Sequence, residues 1–171
     1  DELAEIVAEM EPDKAADLLG DLSPALTEAT LSVLYEEAED VLPLLLHPDE
    51  TAGGLMTSEY LVFPEAMTAA RALDAVRNWT PKGEQTPYLY VVGEGGRLIG
   101  VLNLFGALRA QPGERLGALA NRDVLAANVH DGQEEVARLM ARYDLTAVPV
   151  VDDDYRLVGV IDVDALVDVL E

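Results

Sequence analysis

YLYVVGEGGRLIGVLNLFGAL, residues 88–108, and AVPVVDDDYRLVGVIDVDALV, residues 147–167, are two versions of one pattern, and this pattern decides the fold. A constant offset of 59 positions aligns the two stretches without a gap. Identical residues recur at Val91, Val92, Arg97, Leu98, Gly100 and Val101, which align with Val150, Val151, Arg156, Leu157, Gly159 and Val160. Repetition of this kind is typical of duplicated supersecondary units. The sequence therefore predicts a pseudo-twofold module with a cleft between its halves.

Outward from the repeat, each half shows one order of predicted elements. A short strand (61–63; 124–126) precedes a helix (69–79; 133–143), and then two strands joined by a turn lead into a final helix. The β-rich runs are short and bounded by Gly or Asp, as buried strands should be. The connection TPKGEQTP in the first half is five residues longer than its counterpart, so we expect the two halves to present different clefts.

Residues 1–46 carry a different repeat, with EPDKAADLLGDL from Glu11, SPALTEATLSVL from Ser23 and a looser unit, YEEAEDVLPLLL, from Tyr35. Pro12 and Pro24 are placed as prolines in a helical first turn. Short helices of this period should stack as a small solenoid, because each buries its apolar face only on a neighbour. The pattern already runs at residue 1, so we expect a fragment of a longer protein. The expected inner stripe is Leu19, Leu22, Leu31, Leu34 and Leu46.

Composition narrows the function. Among 171 residues, 33 acids oppose 11 bases, giving a formal net charge of -22. Such a surface repels nucleic acid and attracts cations, although it also fits a role in solubility alone. The chain has no cysteine, which excludes disulfides and thiolate metal sites. No uninterrupted apolar run approaches the ~20 residues that a membrane helix needs.

Catalytic signatures are not found. The sequence contains no GxxxxGK[ST], GxSxG or HExxH motif. GEGGRLIG lies between two predicted strands and is interpreted as a hairpin turn, and the acids of 152–154 occupy the corresponding turn. His47 and His130 lie in predicted loops and are interpreted as surface residues. The sequence therefore predicts a protein that is not an enzyme.

The strand pattern, from about residue 52 to 171, resembles a tandem pair of CBS domains. Together with the solenoid, the linker motif AGGLMT and QEEVARLMARYDLTAVPVVD, the order resembles the cytosolic part of MgtE-type magnesium transporters. The expected fold is α+β, a partial all-α short-helix solenoid followed by a tandem CBS pair of β-α-β-β-α units. The expected domains are 1–46 (helical), 47–57 (linker), 58–115 (first CBS domain) and 116–171 (second CBS domain).

The resemblance implies a regulatory magnesium sensor on the cytoplasmic side of the inner membrane, open to competition from other divalent cations. It further implies a homodimer formed through the CBS domains and a membrane pore domain beyond residue 171. The net charge predicts no nucleic-acid partner. Bound Mg²⁺ would draw two acidic bodies together and close the pore.

The resemblance also places the metal ligands, residue by residue. At Ala165 relatives carry an acid, so the neighbouring Asp164 is the expected substitute. In the helical part Glu9 and Asp13 are the candidates, with Glu11 and Asp17 as alternates. The remaining expected ligands are the backbone of Gly54, the carbonyl of Ala141, and the side chains of Glu134, Asp144 and Asp168.

An adenine-nucleotide-sensing CBS module of another transporter or an enzyme is the alternative. In the family, a hydroxyl and a carboxylate near the last strand hold phosphate and ribose. Here Asn103 and Asp162 stand at the hydroxyl positions, and Gly106 and Ala165 at the carboxylate positions. Binding is therefore expected to be absent or weak. The candidate nucleotide contacts are Tyr88, Asn103, Leu145 and Asp162. The third hypothesis is a structural module whose only function is to dimerise its parent protein.

Overall fold

The computed structural model describes residues 2–34, 37–82 and 88–170, with the side chains of 37–38 and 168–170 left out. The expected α+β architecture is confirmed: a helical lobe, residues 2–46, precedes two similar α+β units. The helices are α1 (Glu2–Ala8), α2 (Pro12–Gly20), α3 (Pro24–Leu31), α4 (Glu37–Val41), α5 (Ala52–Leu55), α6 (Ala69–Asn78), α7 (Leu104–Arg109), α8 (Leu116–Leu119), α9 (Gln133–Tyr143) and α10 (Val163–Leu170), with 3₁₀ turns at Leu44–Leu46 and Glu94–Gly96. The strands are β1 (Leu61–Pro64), β2 (Tyr88–Val92), β3 (Leu98–Asn103), β4 (Ala127–Asn128), β5 (Ala147–Val151) and β6 (Leu157–Asp162).

The helical lobe follows the predicted repeat. Pro12 and Pro24 open α2 and α3, with Glu11 and Ser23 at the N-caps. The ring fixes φ near the helical value, and proline lacks an N–H that the first turn could not have paired. Of the expected inner stripe, Leu46 is wrong because it is 81% exposed. The third unit ends in a 3₁₀ turn, whose tighter winding places Leu44 inward instead.

The two units carry equivalent three-stranded sheets. In the first sheet β1 pairs parallel to β2, and β2 pairs antiparallel to β3; β4, β5 and β6 repeat this order in the second. The predicted strand at 124–126 is displaced, because the ladder with β5 forms only at Ala127 and Asn128. The two hairpin turns meet where Arg97 pairs with Arg156. A pseudo-twofold axis therefore passes between the sheets.

Each sheet gains backbone hydrogen bonds from a segment that belongs, in sequence, to the other unit. The segment before the first unit pairs with the second sheet, and the segment before the second unit pairs with the first sheet. Thr57, ahead of the first unit, exchanges backbone hydrogen bonds of 2.8 and 3.0 Å with Val160 of β6. Asn121, ahead of β4, exchanges bonds of 2.9 and 2.8 Å with Val101 of β3. The Ala52 N–H donates to the Asp131 carbonyl over 2.7 Å. The second half of the predicted linker, 52–57, is thus bound to the second unit. Residues 52–57 and the residues around Asn121 are here called the exchanged segments.

The repeated glycines explain how these segments fit. A Cβ on Gly100 would lie 2.6 Å from the Asn121 carbonyl oxygen, and a Cβ on Gly159 would lie 2.3 Å from the Met56 sulfur. Such contacts are far closer than close-packed interiors allow. Both strands therefore need glycine where the exchanged segment crosses. No helix in the described part of the chain has the length and apolarity to cross a bilayer.

Candidate functional site: an acidic cleft between the helical lobe and the second unit

The net charge is unevenly divided along the chain. Residues 1–51 contain 15 acids and one base, residues 52–115 contain six of each, and residues 116–171 contain 12 acids and four bases. The first CBS-like unit is therefore neutral, whereas the helical lobe with its following turn and the second unit carry the whole net charge.

The helical lobe nevertheless packs on the acidic second unit. One apolar core joins both bodies, and it includes Val7 and Leu19 of the lobe together with Met140 and Ile161 of the second unit. Ala52 and Met56, from the exchanged segment, are buried in the same core. Apolar burial thus holds two negatively charged surfaces together against their mutual repulsion.

Two adjoining cavities lie between these surfaces and are here called the acidic cleft. One has a volume of about 420 Å³ and the other about 310 Å³, and both are bounded by Asp13, Lys14, Leu55 and Ala165. Lys14 is the one base among the described lining residues, and its Nζ lies 3.5 Å from Glu11 Oε1. The acidic lining residues are Glu11, Asp13, Asp17, Asp49, Asp162 and Asp164.

Asp13 is the most constrained of these acids. It lies in the first turn of α2, and its Oδ1 is buried without accepting a hydrogen bond. Burial raises the pKa of Asp13, and the charge of Glu11 adds to this, although backbone N–H groups oppose the rise. A half-buried carboxylate with an unpaired oxygen is costly unless a positive charge compensates it.

Asp17, one turn further along α2, shares this environment. Partial burial is the main cause that raises the pKa of Asp17, and the negative charge of Asp49 is the second. Asp49 lies in the turn between the helical lobe and α5 and lines the same cavity as Asp17. Three bodies of the structure, namely α2, this turn and the second unit, therefore contribute carboxylates to one cleft.

The structure brings together three of the predicted metal ligands. Asp13 and Asp164 line the larger cavity, and Asp13 and Gly54 line the smaller one. Thr51 caps α5, its hydroxyl accepting from the Gly54 N–H over 3.4 Å, and this places Gly54 at the cleft. The alternates Glu11 and Asp17 also line the cleft.

The other predicted ligands lie elsewhere. Glu9 is exposed between α1 and α2, and Glu134 is exposed on α9, where it accepts from Arg138 over 3.0 Å. Ala141 lies on the exposed side of α9, and Asp144 caps that helix with a left-handed φ of 52°. The side chain of Asp168 lies outside the described residues.

Two acids of the cleft were not predicted there. Asp49 belongs to HPDET, a motif treated as a linker, and the sequence carries no signal that distinguishes it from any loop acid. Asp162 was expected near nucleotide, but it lines the acidic cleft instead. Its aligned residue, Asn103, accepts from the Gly106 N–H over 2.7 Å as the cap of α7.

A separate cavity of about 240 Å³ lies between the two units. Of the candidate nucleotide contacts, Tyr88 and Leu145 line this cavity together with Asp144 and Thr146, whereas Asn103 and Asp162 are not among its lining residues. The Tyr88 and Thr146 hydroxyl oxygens are 3.5 Å apart. The cavity combines apolar walls with a few polar groups, which is typical of small-ligand sites.

The acidic cleft fits a hard cation that keeps much of its hydration shell better than a metal ion that is fully enclosed by protein ligands. Within the described residues, no three acidic or histidine side chains converge closely enough to enclose a metal ion. Mg²⁺ prefers oxygen ligands, keeps several of its waters and is often held by one or two carboxylates. The buried, unpaired Oδ1 of Asp13 supplies one such ligand.

Comparison with known proteins agrees with this architecture. The family model for the CBS domain matches residues 52–113 and 116–171. The chain is 46% identical over 132 residues to the magnesium transporter MgtE of Thermus thermophilus, a match that covers 77% of this chain and 29% of that protein. It is 34% identical over 162 residues to MgtE of Bacillus subtilis, covering 94% of this chain and 36% of that protein. The chain thus spans about a third of the length of these relatives.

Solved structures extend the likeness to the helical lobe. The crystal structure of the cytosolic domain of the Mg²⁺ channel MgtE in complex with ATP superposes with a TM-score of 0.89 at 40% identity, over 98% of this chain and 69% of that one. The soluble part of a magnesium transporter superposes with a TM-score of 0.86 at 35% identity, over 98% of this chain and 66% of that one. The chain therefore belongs to the CBS-domain family, and its sequence and fold match the cytosolic region of MgtE-type magnesium transporters.

Proposed function

We propose that this chain is a Mg²⁺-sensing regulatory region in which ions bound in the acidic cleft hold the helical lobe against the second CBS unit. The observation that carries the proposal is the placement of charge. The lobe lies on the acidic unit and shares a cleft of carboxylates with it, although a neutral CBS unit is available beside it.

Electrostatics explains why such a cleft responds to divalent ions. Like charges separated by a few ångströms repel, and monovalent salt weakens this repulsion without reversing it. A divalent cation between Asp13 and Asp164 would convert the repulsion into attraction on both sides. The Oδ1 of Asp13 would gain a partner, and water molecules would complete the coordination.

Closure follows from differential affinity. An ion that bridges the lobe and the second unit binds the closed arrangement better than an open one, and therefore shifts the equilibrium toward closure. Residues 47–51 are where the lobe would swing, since 52–57 is bound to the second unit. In the parent protein, closure at high cytosolic Mg²⁺ would favour a shut pore.

The proposed membrane domain, cellular location and lack of catalytic role are based on the relatives. The parent chain would carry a membrane pore domain beyond residue 171, with this region on the cytoplasmic side of the inner membrane and no catalytic role. A homodimer through the CBS units is supported by exposed apolar side chains on their terminal helices, namely Phe105 and Leu108 of α7 and Val163 and Val167 of α10. Apolar patches of this kind commonly mark interfaces.

The test is a Mg²⁺ titration of the purified chain at constant ionic strength, followed by small-angle scattering and thermal unfolding. We expect saturable compaction and stabilisation with Mg²⁺, and neither with K⁺. Asp13→Asn and Asp164→Asn should each weaken the response by about tenfold or more, as loss of a charged ligand does. Glu94→Gln is the matched control, because it removes one exposed charge from the neutral unit.

Two results would count against the proposal. A radius that follows ionic strength alone would reduce the acidic surface to a role in solubility. An equal loss of response in Glu94→Gln would show that net charge, and not the cleft, governs the effect. As a separate measurement, titration with Ca²⁺ and Mn²⁺ under the same conditions would rank the competing divalent cations.

Adenine-nucleotide binding in the cavity between the two units is the second candidate. The cavity between Tyr88 and Leu145 favours it, and one related cytosolic domain was crystallised with ATP. The aligned Gly106 and Ala165 provide no ribose carboxylate, so Asp144 would have to serve in its place. Calorimetry with ATP, ADP and AMP tests this candidate, with Tyr88→Ala and Asp144→Asn expected to abolish any binding.

A further inference from the structure

Lys82 joins the first CBS unit to the helical lobe. Its Nζ donates a hydrogen bond of 2.6 Å to the carbonyl oxygen of Ala8, the last residue of α1. Its backbone N–H donates to Glu59 Oε1 over 2.9 Å, which fixes the base of the side chain on the first unit. This contact is separate from the acidic cleft, which involves the second unit.

The partner that Lys82 reaches is a helix end that has no cation of its own. The last carbonyl groups of a helix have no intrahelical partner and carry partial negative charge. None of the helices α1 to α4 has a basic residue in its last turn. The single base of residues 1–51, Lys14, pairs with Glu11. The positive charge at the end of α1 thus comes from a residue 74 positions away.

The contact is peculiar to the first unit. Lys82 lies in the long connection, 79–87, between α6 and β2. The counterpart between α9 and β5 is only 144–146, and its residues are Asp144, Leu145 and Thr146, without a base. The longer connection of the first unit therefore brings a cation to the lobe where the second unit offers none.

We propose that Lys82 is an intramolecular strap that stabilises the closed arrangement of the helical lobe on the CBS pair independently of bound metal. The strap deepens the proposed sensing function and rests on it for its role, because the contact adds to the stability of the closed arrangement that Mg²⁺ also favours. Exposed charge contacts at helix ends contribute modestly, so loss of Lys82 should raise the Mg²⁺ concentration for half-closure by about two- to fivefold. As an exposed contact between a charge and a helix dipole, the strap should also weaken with KCl.

Distance measurements by pulsed electron resonance test the strap. The chain has no cysteine, so spin labels can be placed at the exposed positions changed by Glu5→Cys in α1 and Ala75→Cys in α6. The measurement is made first in metal-free buffer and then with Mg²⁺. The variants are Lys82→Met, which removes the charge, and Lys82→Arg, which keeps it. Arg97→Met is the matched control, since Arg97 is also an exposed base of the first unit.

In metal-free buffer we expect the parent, Lys82→Arg and Arg97→Met to share one distance distribution, and Lys82→Met to be shifted toward longer distances. An unchanged distribution in Lys82→Met would overturn the strap, whatever Mg²⁺ does. Longer distances in Lys82→Met that Mg²⁺ fails to shorten would uphold the strap and contradict the sensing function. The two proposals therefore fail on different measurements.

Discussion

The two CBS units share a fold and differ in charge. Their sheets have the same order and register, and both need glycine where an exchanged segment crosses. Yet the first unit is neutral, whereas the second carries 12 acids against four bases and receives the acidic lobe. The backbone framework is thus repeated, whereas the surface charge is not. The difference teaches that the fold alone does not support the proposed sensing role; the placement of carboxylates does.

The largest effect is expected where the two units are most alike. Gly100→Ala should destabilise the protein by about 2–3 kcal/mol, because the added methyl group meets the Asn121 backbone, which cannot move aside. Gly159→Ala should cost somewhat less, since the Met56 Sδ and Cγ can rotate away, although its Cβ, 2.8 Å from the added methyl group, cannot. Urea unfolding of both variants measures the difference. A negligible cost at either glycine would contradict the proposed equivalence of the two crossings.

The next largest effect is expected in the pH dependence of stability, which should distinguish a variant in the acidic cleft from a variant in the neutral first unit. Burial raises the folded-state pKa of Asp13 and Asp17 above the ordinary value of 3.8. Their contribution to stability is therefore fully present below that value and is lost as pH rises through the raised pKa. Metal-free Asp13→Asn should lose less stability than the parent between pH 4 and 7, whereas Glu94→Gln should follow the parent.

Stabilisation by Mg²⁺ should change with pH in the opposite sense, because a metal ion binds the ionised carboxylate. Thermal unfolding with and without Mg²⁺ across this range provides the check. Stabilisation that grows as pH falls would contradict coordination by Asp13.

A smaller effect is expected at the hairpin turns. Gly96 has a φ of 77°, and the aligned residue of the second unit, Tyr155, adopts a left-handed φ of 63°. This conformation costs a non-glycine residue about 1–2 kcal/mol. Tyr155→Gly should therefore stabilise the second unit by up to about 1 kcal/mol, and Gly96→Ala should destabilise the first by a similar amount. Chemical unfolding of the two variants should give changes of opposite sign.

The smallest effect is expected from a conservative exchange at one helix cap. Asn103→Asp makes the first unit resemble the second at Asp162, and it should change stability by only a few tenths of a kcal/mol because Asn and Asp cap equally well. Asn103→Ala should cost about 1 kcal/mol, since the Gly106 N–H loses its acceptor. A large loss of stability in Asn103→Asp would show that the structure of the first unit does not tolerate an acid at this position.

Much of the fold could be predicted from the sequence because it repeats. The alignment of residues 88–108 with 147–167 fixed the strands, and Pro12 and Pro24 fixed two helix starts. The exchanged segments could not be predicted, since Thr57 and Val160 are distant in sequence and carry no pairing signal. Asp49 and Lys82 were missed for the same reason: a loop residue shows its partner only when the chain is folded.

The exchange of segments has a consequence for how the chain can be divided. A cut between residues 115 and 116 would separate each unit from part of its own closing strand, because Thr57 leaves with the first half and Asn121 with the second. The sequence boundary between the repeats is therefore not a boundary of cooperativity. Neither half should fold as an independent domain, and two copies of one half would have to trade these segments between molecules to complete a sheet.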